Sequence, residues 1–121
     1  MQPTILTDVK PDNPAFRTEF FGPVALFFRV KNEDEAVALA NGTRYGLAAT
    51  LFTGDRERAA RVSAQLVAGT VWVNCFFVRD LRAPFGGARQ SGIGREGGTW
   101  SFDFYGEVKN TVYAPEGWRY G

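Results

Sequence analysis

Short apolar runs separated by polar, turn-forming segments set the pattern of this 121-residue chain. The runs predict strands over residues 3–6, 22–30, 47–54 and 70–74. The run at 22–30, "GPVALFFRV", is nearly continuous, which is typical of a strand buried on both faces of a sheet. The pattern therefore predicts several short strands, each bounded by Gly, Pro or Asn.

Two amphipathic stretches between these runs predict helices. Residues 32–42 begin with Asn32 as a candidate N-cap, followed by acidic residues where the helix dipole favours them. Residues 55–69 start with Asp55 as cap and end at Gly69. The second helix has one apolar stripe, formed by Ala59, Val62, Leu66 and Val67.

The order strand, helix, strand, helix, strand predicts an α/β fold with a partial, mostly parallel βαβ sheet. A loop of about twenty residues follows residue 74, and a loop this long is usually functional or docked on another surface. A short helix over 99–106 and a last strand over 107–114 complete the prediction. Three buried strands are few for such a sheet, so we expect this chain to form part of a larger α/β domain.

Composition and charge narrow the classes of partner. The formal net charge is +1, which gives no electrostatic footprint for nucleic acid or an anionic membrane. No apolar run reaches the roughly 20 residues that span a bilayer, and the first residues lack the pattern of a signal peptide. We therefore expect a cytoplasmic protein. Eleven phenylalanines are a heavy load for this length, so some of this aromatic surface is expected to face a partner.

The chain has no histidine and one cysteine, Cys75. Ser-His and Cys-His dyads and His-ligated metals are therefore excluded, and we expect no metal site. Cys75 ends a predicted buried strand and has aromatic neighbours, with no lysine or histidine nearby in sequence to activate the thiol. We interpret Cys75 as a packed thiol and not as a nucleophile.

Three further features suggest a binding role, and each also has a purely structural explanation. Glu19 precedes Phe21 and a Gly-Pro turn, so its carboxylate could accept bonds from ribose hydroxyls, or it is simply a loop acid. Arg79 and Arg82 could form a carboxylate-binding fork or a solvated ion pair with Asp80. The glycines of 92–98 follow a loop rather than a strand, so a dinucleotide-binding loop is rejected there.

Together, segments in consecutive order resemble the C-terminal part of the NAD(P)-dependent aldehyde dehydrogenase superfamily, whose subunit is several times longer. The segments are "PTIL", "EFFGPV", "EDEAVALANGTRYGLAATLFTGD", "AGTVWVN", "PFGGARQSGIGREGG" and "FYGEVKNTVY". The resemblance implies two parts: residues 1–106 as the C-terminal part of the catalytic domain, and 107–121 as an oligomerisation strand and tail. It also implies a homo-oligomer formed through residues 107–114.

The resemblance gives roles to individual residues. Glu19 matches the acid that holds the nicotinamide ribose, and Phe21 matches the aromatic residue beside the nicotinamide ring. The loop from Phe76 to Phe85 resembles the one that lines the substrate entrance. "NCFFVRDLRAPFGG" is similar to hydroxymuconic and aminomuconic semialdehyde dehydrogenases, while residues 3–30 resemble succinate-semialdehyde enzymes equally well. Arg79 is then the first candidate anchor for a substrate carboxylate, and Arg82 the second.

In this family the nucleophile, the general-base glutamate, the oxyanion asparagine and the Rossmann half lie upstream of everything matched here. The resemblance thus implies a fragment of an enzyme that oxidises an aldehyde to a carboxylate with NAD or NADP. We expect it to be inactive and to bind no cofactor without the missing N-terminal portion. Two alternatives remain: a module for oligomerisation or complementation without catalysis, and an independent enzyme that uses Cys75.

Overall fold

A computed structural model describes all 121 residues of the chain. The elements in chain order are β1 (Thr4–Thr7), α1 (Pro14–Arg17), β2 (Val24–Phe27), α2 (Glu33–Ala40), β3 (Ala48–Leu51), α3 (Arg56–Gln65), β4 (Thr70–Val73) and α4 (Trp100–Tyr105). One turn of 3₁₀ helix, Arg89–Ser91, lies between β4 and α4. The chain is therefore an α/β structure, as the pattern predicts.

The strands form two separate parallel pairs instead of one sheet. β1 pairs with β2, placing Thr4 opposite Val24, and β3 pairs with β4, placing Ala48 opposite Thr70. The predicted parallel pairing is confirmed within each pair, but the strands do not form a single sheet, since β2 and β3 are not hydrogen-bonded to each other. Local pattern specifies that a segment is a strand, but long-range packing decides which edges meet.

Burial on β2 also differs from the prediction. Val24 and Leu26 are half-buried, whereas Ala25 and Phe27 are exposed, so burial alternates along the strand. A parallel strand normally has both faces covered. In this chain one face of β2 is open.

The predicted helices and their caps are confirmed. The Asn32 side chain accepts a hydrogen bond from the Glu35 amide, and that of Asp55 accepts from Glu57 and Arg58. α3 ends at Gln65, before the predicted stop at Gly69. The short helix α1 was not predicted, although Asn13 followed by Pro14 is a helix-start signal.

Polar side chains join α2 to α3. Arg61 donates from Nε and Nη2 to the two oxygens of Glu33, at 2.8 and 2.9 Å. At the other end of the helices, the Asn41 amide donates to the Gln65 carbonyl and accepts from the Val67 amide, both at 2.8 Å. Both ends of the helix pair are thereby fixed, which orients β3 relative to β4.

The long loop after β4 docks on the start of β3. The Ala88 amide donates to the Gly46 carbonyl at 2.8 Å, and the Gly46 amide donates to Ser91 Oγ at 2.9 Å. Gly69 lies so close to the loop that a Cβ there would overlap the carbonyl oxygen of Gly86. The loop is therefore packed on its own chain, as its length led us to expect.

Very little of the molecule is enclosed. Gly46, Val62 and Gly87 are its three buried residues. The accessible surface is 10119 Å², whereas a compact monomer of this mass would expose about 6500 Å². No helix is long and apolar enough to cross a membrane.

Residues 107–114, predicted as a strand, form no strand within the chain and are exposed. A strand needs a neighbouring edge for its backbone hydrogen bonds, and no segment of this chain lies beside these residues. The strand was predicted to pair with a second subunit, and that pairing stays a prediction.

Candidate functional site

Arg79 lies on the loop after β4 between two aromatic rings. Its guanidinium carbon is 4.7 Å from the centroid of the Phe85 ring and 5.9 Å from that of Phe77. Both distances are within the range of cation–π attraction. Arg79 makes no ion pair, so its positive charge is not neutralised by any carboxylate of the chain.

Arg82, the second candidate, has a different environment. Its Nε and Nη2 donate to the two oxygens of Asp80 at 2.9 and 2.7 Å, and its backbone amide donates to Asp80 Oδ1. The side-chain bonds from Arg82 lower the pKa of Asp80, with its backbone bond adding to the effect. The two arginines therefore do not form a fork, because Arg82 is already paired.

A cavity of about 210 Å³ lies between Arg79 and the start of β4. Phe85 lines one side, held in place by paired backbone hydrogen bonds with Glu96 of 2.7 and 2.8 Å. Trp72 and Thr70 of β4 line another side. Asp80 and Glu96 line the cavity as well. The cavity thus offers one guanidinium without an ion pair, beside the ring of Phe85, as a contact for a small molecule that carries an acid group.

An aromatic cluster, of which sequence reasoning singled out only Phe76, surrounds the start of this loop. The ring of Trp72 lies 5.7 Å from Phe76 in an edge-on arrangement and 6.1 Å from Phe77. Phe76, a predicted entrance residue, is largely exposed and contacts this cluster instead of Arg79. No sequence signal places Trp72 and Phe77 beside Arg79, because the approach depends on how the loop folds back.

Glu19 and Phe21 lie elsewhere. Glu19 lines a separate open cavity of about 510 Å³ at the carboxyl ends of α2 and α3, together with Asn41 and Ser91. The Phe21 side chain is 98% exposed. The structure therefore does not bring this pair together with Arg79, Phe85 or Arg82 in one cavity.

Cys75 is a half-buried free thiol directly after β4. It lies one residue beyond Asn74, whose side-chain amide exchanges two hydrogen bonds of 2.8 Å with the Thr53 backbone. These bonds fix the end of β4 and leave the thiol packed at its edge.

The fold and this loop match a known protein family. The model of the aldehyde dehydrogenase family matches residues 1–111. The chain belongs to this family.

Individual relatives narrow the comparison. The chain is 53% identical over 110 residues, 91% of its length, to the 2-hydroxymuconic semialdehyde dehydrogenase of Pseudomonas sp. strain CF600. It is 46% identical over 109 residues, 90% of its length, to the 2-aminomuconic semialdehyde dehydrogenase of Mus musculus. The chain spans 23% and 22% of these two relatives.

A solved structure agrees with the fold. Indole-3-acetaldehyde dehydrogenase AldA of P. syringae, crystallised as a mutant in complex with NAD⁺ and IAA, superposes with a TM-score of 0.83 at 41% identity. The match covers 90% of this chain and 22% of that one. The chain thus matches about a fifth of an enzyme whose structure holds NAD⁺.

Proposed function

We propose that this chain is the part of a semialdehyde dehydrogenase that holds the acid group of the substrate. The observation that carries the proposal is Arg79, a guanidinium stacked on Phe85 at 4.7 Å and free of any carboxylate partner. A guanidinium binds a carboxylate through two parallel hydrogen bonds, and the stacked ring reduces its freedom to move. Arg79 would orient the acid end of the substrate, leaving the aldehyde to the rest of the site.

The class of substrate follows from this anchor and from the relatives. A carboxylated semialdehyde presents an acid at one end and an aldehyde at the other. Identity of 53% to a 2-hydroxymuconic enzyme supports a muconic-type semialdehyde, with succinic semialdehyde as the alternative. The ring of Phe85 on the wall of the cavity suits the unsaturated carbon chain of the former.

Glu19 and Phe21 are proposed to contact the cofactor. Glu19 makes no ion pair and Phe21 is exposed, so a carboxylate acceptor and a flat ring are both free, which fits ribose hydroxyls and a nicotinamide ring. When bound, NAD or NADP supplies the acceptor for the hydride that leaves the substrate. The other groups of the site would come from the larger enzyme.

The chain alone is proposed to have no turnover and no measurable cofactor affinity. Its one thiol is half-buried at a strand end, with no histidine in the chain to deprotonate it. Positioning residues accelerate a reaction only when the reacting groups are present. We therefore place Cys75 outside the chemistry.

Binding of a stable dicarboxylate tests the role of Arg79. We expect glutarate, titrated into the ¹⁵N-labelled 121-residue chain, to shift the resonances of Arg79 and Phe85. Arg79→Gln should raise the dissociation constant of glutarate about tenfold, the order expected for a lost charge-assisted hydrogen bond. Arg119→Gln is the control and should change the dissociation constant less than twofold, because Arg119 lies exposed in the C-terminal tail and does not line this cavity. Equal effects of the two variants would contradict the proposal.

A second candidate function is that of an assembly module without catalysis. The favouring observation is the exposed apolar surface of residues 107–114, which includes Val108, Val112 and Tyr113. Unpaired backbone groups beside apolar side chains are a template for adding a strand. Sedimentation should then show association that rises with concentration and disappears when 107–114 are deleted. An intact chain that stays monomeric at every concentration would count against this function.

A further inference from the structure

Trp72 makes a directed bond to the loop that carries Arg79. Its indole Nε1–H donates to the carbonyl oxygen of Val78 at 2.8 Å. That carbonyl belongs to the peptide group joining Val78 to Arg79, so the bond fixes the plane from which the Arg79 side chain departs. The donor sits on β4, which is hydrogen-bonded to β3 along its whole length. A rigid strand therefore holds the one peptide that sets the direction of the proposed anchor.

The backbone between donor and acceptor takes a conformation that needs such support. Asn74 and Phe77 both have a positive φ, of 54° and 58°. Asn74 adopts this region readily, but a bulky aromatic residue does so only when its surroundings force it. For Phe77 those surroundings are the ring of Trp72, 6.1 Å away, and the ring of Phe76, 5.9 Å away.

The left-handed turn at Phe77 brings its ring under the guanidinium of Arg79 at 5.9 Å. If Phe77 adopted an ordinary extended conformation, the loop would lead away from β4, and Phe77 and Arg79 would no longer lie near this strand. Arg79 is exposed and has no ion pair, so nothing else on the chain except the ring of Phe85 would orient it.

We propose that Trp72 is a positioning residue that selects carboxylated substrates by holding Arg79 over Phe85 through its bond to the Val78 carbonyl. This inference rests on the proposed role of Arg79 as carboxylate anchor. Trp72 itself does not touch the substrate acid group. It acts by reducing the number of directions that the guanidinium can adopt, and binding then costs less conformational entropy.

Trp72→Phe removes the N–H donor and keeps an aromatic ring against Phe76 and Phe77. Glutarate titrated into the labelled chain should bind this variant about three- to tenfold more weakly, the range expected for one net hydrogen bond. Trp118→Phe is the matched control, since Trp118 packs on Tyr120 in the C-terminal tail. This variant should bind glutarate as tightly as the unmodified chain does. In the double variant with Arg79→Gln, the Trp72 change should have no further effect, because it acts through Arg79.

A second measurement needs no variant. Since coupling between two sites is reciprocal, glutarate bound at Arg79 must stabilise the Trp72 bond by the same factor. Saturating glutarate should therefore slow hydrogen exchange of the Trp72 indole N–H about three- to tenfold and leave the Trp118 indole unchanged. This measurement tests whether Trp72 positions Arg79 even if Trp72→Phe fails to fold.

Each outcome is informative. Unchanged glutarate affinity in folded Trp72→Phe, or unchanged exchange at Trp72, overturns this inference and leaves the anchor intact. A further loss of affinity when Trp72→Phe is added to Arg79→Gln also overturns it, since the tryptophan would then act independently of Arg79. If Arg79→Gln binds glutarate as well as the unmodified chain does, the proposed anchor fails, and this inference with it.

Discussion

Two arginines three residues apart have different neighbours in this molecule. Arg82 is bound by Asp80 through two side-chain hydrogen bonds, and Arg79 is stacked on Phe85 without a counter-ion. An exposed ion pair of this kind adds little stability, but it occupies the donors that a ligand would use. The difference between the two residues is therefore one of availability, although both carry the same charge.

Close backbone contacts explain several glycines in the loop after β4. A Cβ on Gly87 would overlap the backbone of Ser91, and one on Gly97 would overlap the carbonyl oxygen of Ala83. Gly97 and Gly98 also have positive φ values of 94° and 51°, which other residues rarely adopt. These glycines let the loop fold tightly on itself and on the start of β3.

Gly69→Ala tests this close packing. The added Cβ would overlap the carbonyl oxygen of Gly86, so the loop must move away from the start of β4. We expect the free energy of unfolding to fall by about 1–3 kcal/mol, as for other overpacked sites. Urea unfolding followed by tryptophan fluorescence measures this change.

The control for that variant is Gly54→Ala. An added Cβ at Gly54 meets no atom within 4 Å, and its φ is not in the left-handed region. Its stability should therefore change by less than about 0.5 kcal/mol. Similar losses in the two variants would show that the contact between Gly69 and Gly86 is absent.

At the residue scale, the sequence indicated which side chains could carry chemistry but not which of them meet. It placed Arg79 before Arg82 only through family resemblance, and it left open whether Arg82 pairs with Asp80, as it does in the structure. The order of the two as substrate anchors stays a prediction. The approach of Trp72 to Val78 could not be foreseen, since it depends on two left-handed residues that no motif marks. The proposed roles of Glu19 and Phe21 stay predictions.

Helices α2 and α3 behave as one unit because charged and amide side chains join them. Glu33 accepts from Arg61 at 2.8 and 2.9 Å and lies 3.4 Å from Arg58. The bond from Arg61 lowers the pKa of Glu33 below its ordinary value of 4.5. Hydrogen bonds from the Arg58 and Glu57 amides likewise lower the pKa of the Asp55 cap.

Acid should therefore loosen this pair of helices. A carboxyl whose pKa is depressed on folding contributes its stability above the unfolded value, and that contribution disappears as pH falls through the folded value. For Glu33 the loss should start below about pH 4.5. Urea midpoints measured from pH 7 to pH 3 should fall less steeply in Arg61→Gln than in the unmodified chain.

Arg56→Gln provides the matched control, because Arg56 lies on the same helix and makes no ion pair. Its acid dependence should follow that of the unmodified chain. If Arg61→Gln and the unmodified chain lose stability in parallel between pH 5 and pH 3, the ion pair does not operate in solution.

At the scale of elements, local signals identified every strand within the β1–β4 region and both long helices. The cap residues identified where the two long helices begin, because the side chains of Asn32 and Asp55 accept hydrogen bonds from backbone amides of the first turn. Strand order was not predictable, because a parallel strand can pair on either edge and the choice depends on distant packing. Residues 107–114 have the pattern of a strand, but a strand forms only beside a partner edge.

The whole molecule has too much surface for a finished domain. Its 10119 Å² exceed the area of a compact monomer of this mass, about 6500 Å², by several times the roughly 800 Å² that each partner buries in a standard interface. Both two-stranded sheets have open faces, and isolated pairs of strands are marginally stable. Under the proposed function, the remainder of an aldehyde dehydrogenase subunit would cover these open faces.

Several of the eleven phenylalanines lie on the surface. Phe21, Phe76 and Phe102 are largely exposed, and the expectation that such aromatic surface faces a partner stays a prediction. The sequence could not say how much of the core would be missing, since hydrophobic composition does not distinguish an internal face from one that another segment covers.

The most direct test of the proposed function is an assay of NADH production by the purified 121-residue chain. Intact mass confirms the length of the chain. The assay uses high protein concentration, NAD⁺ and a panel of semialdehydes that includes succinic and muconic types. We expect no turnover, because the chain supplies positioning residues and its thiol lies outside the chemistry. Turnover that follows the 121-residue species and disappears in Cys75→Ala would contradict the account and make Cys75 a nucleophile.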